Sequence, residues 1–138
     1  GGPSRPMQRA AIPLLEPALS GQEAASIRHV FREKRDLLVR GLRDLGVRFD
    51  LEPEGTFYAW GDVSGLPEGL RTGEELFRAA LDEKVIVVPG NFFDVDPGQR
   101  RGGRPSRFRS HVRFSFGPSK PTLETALERL GSLVARRR

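Results

Sequence analysis

The amino-acid sequence predicts a two-layer α/β sandwich, with a small mixed sheet and helices packed on one face. Three observations carry that expectation. Helical spacing of apolar residues marks a long run after Ser20, a short one after Thr72 and a closing one after Pro121. Short β-rich runs lie between them at 47–51, 56–63, 85–88 and 111–117. The resulting order is helix, helix, strand, strand, helix, strand, strand, helix, which calls for helices layered on a sheet.

Taken in order, residues 6–19 place Met7, Ala10, Ala11, Leu14, Leu15 and Ala18 at helical spacing, and Pro13 must kink or split that helix. A second helix is expected to start at Ser20, with Glu23 completing a capping box, and to run through Ile27, Val30, Phe31, Leu38, Leu42 and Leu45 until Gly46 stops it. Residues 47–51 alternate apolar and charged residues, Pro53-Glu54-Gly55 turns the chain, and 56–63 returns as an aromatic-rich strand, completing a hairpin. In that strand Phe57 and Ala59 share one face while Tyr58 and Trp60 share the other. Gly65, Pro67 and Gly69 make a loop, and Thr72 with Glu75 forms a capping box that opens a short helix closed by Lys84. Val85 to Val88 is an apolar run ending at Pro89-Gly90, as a buried strand would be. The loop 91–110 starts with Phe92 and Phe93 and turns Gly, Pro and Arg rich, so its middle is expected to be mobile. Leu123, Ala126, Leu127, Leu130 and Val134 stripe the final helix, with Pro121 in its first turn.

Composition narrows the chemistry. A chain of 138 residues forms one modest core and is short for a complete cofactor enzyme. There is no cysteine, which excludes disulfides, thiolate metal sites and thiol nucleophiles, and two histidines are too few for an imidazole metal site. No metal site is expected. The absence of a long apolar run or a signal-like start reads as a soluble, cytoplasmic protein. The net charge is +5, but eight arginines crowd into 100–109 and 136–138, and without them the balance is −3. The basic excess therefore sits in one loop and a tail, not along a face that could track phosphates. The chain begins Gly1-Gly2-Pro3 instead of with methionine, which fits a fragment or a processed product.

The segment HVRFSFG at 111–117 sets Val112, Phe114 and Phe116 on one face and His111, Arg113 and Ser115 on the other. Arg113 is the leading site residue, because a guanidinium on a stiff strand can meet both oxygens of a carboxylate at fixed geometry. By pattern alone, an arginine on the solvated face of an antiparallel strand reads equally well.

PEGTFYAW at 53–60, VIVVPGNFF at 85–93, HVRFSFG at 111–117 with its terminal amphipathic helix, and the opening GGPSRPMQRAAIPLLEP occur in an order that resembles class I/II aminotransferases. Specifically, the chain resembles the C-terminal small domain of these fold-type I pyridoxal-phosphate enzymes. The resemblance implies a connecting segment at 1–19 and the small domain at 20–138. It implies that Arg113 binds the α-carboxylate of an amino-acid substrate, and that Phe57, Phe92 and Phe93 border the substrate pocket. It further implies transfer of an amino group from an amino acid to a 2-oxo acid by a homodimeric parent enzyme of amino-acid metabolism. Pyridoxal 5'-phosphate would be bound by a large domain absent from this chain. Lys34, Lys84 and Lys120 are the only lysines, and none stands in the serine-lysine setting the family uses to hold that cofactor. No catalytic or cofactor-binding residue is therefore assigned here, and the isolated chain is expected to be inactive.

Two other readings compete. RFSFG and the nearby RRGGR echo an RNA-binding α/β module, which needs its aromatics exposed for stacking. A noncatalytic interaction domain is the other.

Overall fold

The computed structural model describes residues 2–96 and 102–138. Gly1 and the Arg100-Arg101 pair, with the centre of the loop expected to be mobile, lie outside the described residues. Contacts divide the chain into two compact units, Gly1–Glu33 and Lys34–Arg138, so the division falls inside a helix.

In the first unit, α1 (Arg5–Ala11) gives way to a 3-10 turn over Ile12–Leu15. Pro13 thus splits the helix, as its missing N–H requires. The next helix, α2 (Pro17–Leu45), starts earlier than the sequence suggests. Pro17 has the φ suited to a first turn, and the Ser20 N–H donates to Glu16 O at 2.9 Å, which places Ser20 inside the helix. The capping box expected at Ser20 and Glu23 does not form. Met7, Ile12, Leu14 and Leu15 are exposed in this unit.

The second unit holds the core. From Lys34 onward α2 buries Leu38, Val39 and Leu42. Gly46, at φ +108°, ends the helix, and the Val47 N–H turns back to Leu42 O at 3.0 Å. Three strands come next: β1 (Tyr58–Asp62), β2 (Val88–Pro89) and β3 (His111–Ser115), arranged in the order β1-β3-β2. Helix α3 (Gly73–Asp82) lies between β1 and β2 in the chain, and α4 (Lys120–Ala135) comes after β3.

The α/β class is as expected, but the sheet is antiparallel throughout and not mixed. The reason is topological. β1 and β2 run in the same direction, as a strand-helix-strand unit requires, yet β3 inserts between them and opposes both. The expected hairpin shrinks to one antiparallel bridge between Arg48 and Asp62. Pro53 cannot donate to a ladder and Thr56 turns left-handed at φ +60°, so pairing does not extend beyond that bridge. The run at 85–88 pairs only at its end, and Ile86 is exposed.

Alternation decides which side is core. Ala59, Val112, Phe114 and Phe116 are buried together with Leu76 and Ala80 of α3 and Leu123 and Leu130 of α4. Phe114 and Phe116 are 3% and 1% exposed, so the stacking platform that RNA recognition needs is absent from this face. The capping box of α3 forms as predicted: the Glu75 N–H donates to Thr72 Oγ1 at 3.2 Å and the Thr72 N–H donates to Glu75 Oε2 at 3.0 Å. No helix among the described residues is long and apolar enough to cross a membrane.

Candidate functional site

Burial of the alternate residues against the helices turns Tyr58, Trp60, His111 and Arg113 to the opposite side of the sheet. Arg113 occupies the central strand, in register with Trp60 on β1 and Val88 on β2. Its guanidinium carbon stands 4.1 Å from the centre of the Tyr58 ring and 4.8 Å from that of Phe93. Among the described residues the guanidinium has no hydrogen-bond or ion-pair partner. Aromatic faces attract the cation without occupying its in-plane N–H groups. Those N–H groups can therefore donate in parallel to two oxygens of an anion.

A cluster of rings surrounds this arginine. Trp60 meets Phe93 at 5.6 Å and Phe108 at 5.3 Å, both edge to face, and stacks on His111 at 5.6 Å. The close approach of three chain segments makes the cluster possible. A Cβ on Gly90 would lie 2.6 Å from Phe108 O and 2.7 Å from His111 O. Gly90 opens the 3-10 turn that ends at Phe93, so only a glycine there lets the turn sit against the start of β3. Gly73 plays the same part for α3: its N–H donates to Arg109 O at 2.8 Å, and a Cβ would meet His111 O at 2.6 Å.

The far end of β1 carries a second polar centre. The Asp62 carboxylate accepts from Arg48 Nη2 at 2.5 Å, from the Ser64 N–H at 2.9 Å and from Ser64 Oγ at 3.0 Å. Burial pushes its pKa up, but hydrogen bonds from the Ser64 backbone, Arg48, the Ser64 hydroxyl and Ser110 outweigh that effect and hold it at about 2. The Arg48 pKa is raised, first by its hydrogen bond to Asp62 and then by the carboxylate charge. This ion pair ties the strand end to the segment after α2 and has no contact with Arg113 among its hydrogen bonds.

The residues proposed to border the pocket separate. Phe93 reaches Arg113. Phe57 lies just before β1, is 44% exposed and leans its ring on Tyr58 at 4.1 Å. Phe92 is 72% exposed. Tyr58, Trp60 and Phe108 make contacts in the cluster that sequence reasoning did not single out. Alternation already puts Tyr58 and Trp60 on one face, but their register with β3 is invisible in the chain. The lysines lie elsewhere: Lys34 Nζ donates to Gly117 O at 2.9 Å, Lys84 lies just after α3 at φ +60°, and Lys120 opens α4. Lys34 is buried on a main-chain carbonyl while Lys84 and Lys120 are exposed at helix ends, so the described residues by themselves do not make the lysine setting of a pyridoxal-phosphate site.

The fold and this face define an α/β domain that presents, within an aromatic cluster, an arginine with no acid partner among the described residues. No family model matches the chain. The aspartate/prephenate aminotransferase of Thermus thermophilus is 35% identical over 125 residues, covering 86% of this chain and 28% of that protein. The LL-diaminopimelate aminotransferase of Moorella thermoacetica is 30% identical over 123 residues, covering 86% of this chain and 27% of that protein. A solved aspartate aminotransferase of Thermus thermophilus, a tetra mutant, superposes with a TM-score of 0.69 at 29% identity, covering 87% of this chain and 28% of that one. Over most of its length the chain is similar to aminotransferases, consistent with a C-terminal fragment of a class I/II aminotransferase. It spans about a quarter of the length of the curated relatives it matches.

Proposed function

We propose that this chain is the substrate-anchoring part of a pyridoxal-phosphate-dependent transaminase, with Arg113 binding the α-carboxylate of the amino acid or 2-oxo acid. The observation that carries the reading is the Arg113 guanidinium itself. It is half-buried on the central strand, faced by Tyr58 and Phe93, and without an acid partner among the described residues. Two parallel hydrogen bonds to a carboxylate would fix the substrate in both position and rotation, and such orientation lowers a barrier without any covalent role for the arginine. Names of the relatives support the reaction class, since each is an aminotransferase.

Pyridoxal phosphate supplies the electron sink for this chemistry when bound. In this reading it is held by a part of the enzyme beyond these residues, which residues 1–19 would connect to the small domain. The working enzyme is then a cytoplasmic homodimer of amino-acid metabolism that binds no nucleic acid. Phe93 borders the carboxylate, while Phe57 and Phe92 lie farther out and shape side-chain preference.

The purified chain, supplied with pyridoxal phosphate, an amino acid and a 2-oxo acid, is expected to yield no transferred amino group. It is expected to bind 3-phenylpropanoate saturably, with binding abolished in Arg113→Leu. Amino transfer by the chain alone, or equal binding by the Arg113→Leu chain, would overturn the proposal.

A further inference from the structure

Phe93 is not rigid by its own secondary structure, because the 3-10 turn that carries it is only four residues long and ends at Phe93. The next residue, Asp94, carries a buried carboxylate: its side chain is 0% exposed. It accepts a hydrogen bond from Ser106 Oγ at 2.6 Å, from the Arg107 N–H at 2.9 Å and from Arg107 Nη2 at 3.3 Å. Ser106 Oγ in turn accepts from the Phe108 N–H at 3.1 Å.

These bonds join the residues that follow the 3-10 turn to those that precede β3. They lock together the residues adjoining Phe93 on one side and Phe108 on the other, the two rings that pack edge to face on Trp60. The Phe93 ring is also the one 4.8 Å from the Arg113 guanidinium. A buried carboxylate satisfied by a hydroxyl, a backbone N–H and a guanidinium is costly to disturb, so the neck it closes resists opening.

We infer that Asp94 is a positioning residue for Arg113: by closing the neck of the loop between β2 and β3 it seats Phe93 against the guanidinium and so sets the direction of the carboxylate-binding fork. The inference rests on the reading of Arg113 as the carboxylate anchor. The hydrogen bonds of Asp94 described above go to Ser106 and Arg107 and not to Arg113, so its effect passes through Phe93.

The test is a titration of the 138-residue chain with 3-phenylpropanoate, combined with NMR of the Arg113 side chain. The δ-proton shifts of Arg113 report the ring currents of Tyr58 and Phe93. The methyl shifts of Val112, a fully buried neighbour in the sequence, report the fold. Phe93→Leu and Asp94→Ala are each expected to weaken binding about three- to tenfold and to reduce the Arg113 ring-current shift. Phe93→Tyr, which keeps a ring, restores affinity. Asp94→Asn is nearly isosteric and keeps one carbonyl oxygen, so it provides a folded comparison should Asp94→Ala lose the native Val112 signals; it is expected to weaken binding in the same direction. The double variant Phe93→Leu with Asp94→Asn is expected to bind no more weakly than Phe93→Leu alone, since the two residues act in series. Full additivity, or unchanged affinity and ring-current shift in Asp94→Asn, overturns the role of Asp94 while leaving Arg113 in place. Unchanged binding in Arg113→Leu, or no saturable binding in the unsubstituted chain, overturns the carboxylate reading itself and the inference with it.

Discussion

The guanidinium of Arg113 lies over the ring of Tyr58, 4.1 Å from its centre, although the two residues are not directly opposed in the sheet. Tyr58 faces Ser115 and Arg113 faces Trp60, so the contact is a diagonal one across β1 and β3. A long side chain can span that diagonal. The interaction uses the ring face, so Tyr58→Phe is expected to leave carboxylate affinity within about twofold, whereas Tyr58→Leu should weaken it by about three- to tenfold. The sole tryptophan, Trp60, sits in the same cluster and provides the fluorescence signal for the titration.

Replacing the planar fork tests the geometry separately from the charge. Arg113→Lys retains a cation on the same strand but loses parallel donation to two oxygens and stacks less well on the rings. Its affinity for 3-phenylpropanoate is expected to fall by at least about tenfold, with thermal stability little changed. Equal affinity would mean that charge alone attracts the ligand.

The Asp62 centre makes a prediction about acid. The folded-state pKa of about 2 lies below the ordinary value of 3.8, so the carboxylate stabilises the fold fully above the ordinary value. That contribution is lost as pH falls through the folded value. Unfolding midpoints measured between about pH 6 and pH 2 should therefore decline toward acid, and Asp62→Asn should flatten part of the decline. The difference between the two curves isolates Asp62 from the other carboxylates.

Gly90 is required by close approach, since two carbonyl oxygens stand where a Cβ would go. Gly90→Ala is expected to destabilise the second unit by about 2–4 kcal/mol, measured by urea unfolding, because the backbone on either side must shift. The same shift would move Phe93, so the surviving folded protein should also bind carboxylate more weakly.

Several features were legible in the chain itself. Thr72 and Glu75 form their capping box because a cap depends on residues three apart, a relation the sequence states directly. The alternation of Val112 and Phe114 against Arg113 was likewise readable, because a strand's faces follow from parity alone. Ser20 misled because a good first-turn residue further upstream, Pro17, extended the helix through it. The segment at 47–51 misled because alternation says nothing of whether a partner strand continues alongside.

The sequence by itself determined the class of fold, the order of its elements, and the strand and face on which Arg113 stands, because these follow from local periodicity, capping and turn chemistry. It also carried the resemblance to the aminotransferases. Tertiary structure alone decided that β3 lies between β1 and β2, that Tyr58 and Phe93 meet Arg113 while Phe57 and Phe92 do not, and that Asp94 closes the loop beside them. Register between strands and contacts between distant loops arise from the packing of many residues at once, and no short stretch of chain encodes them.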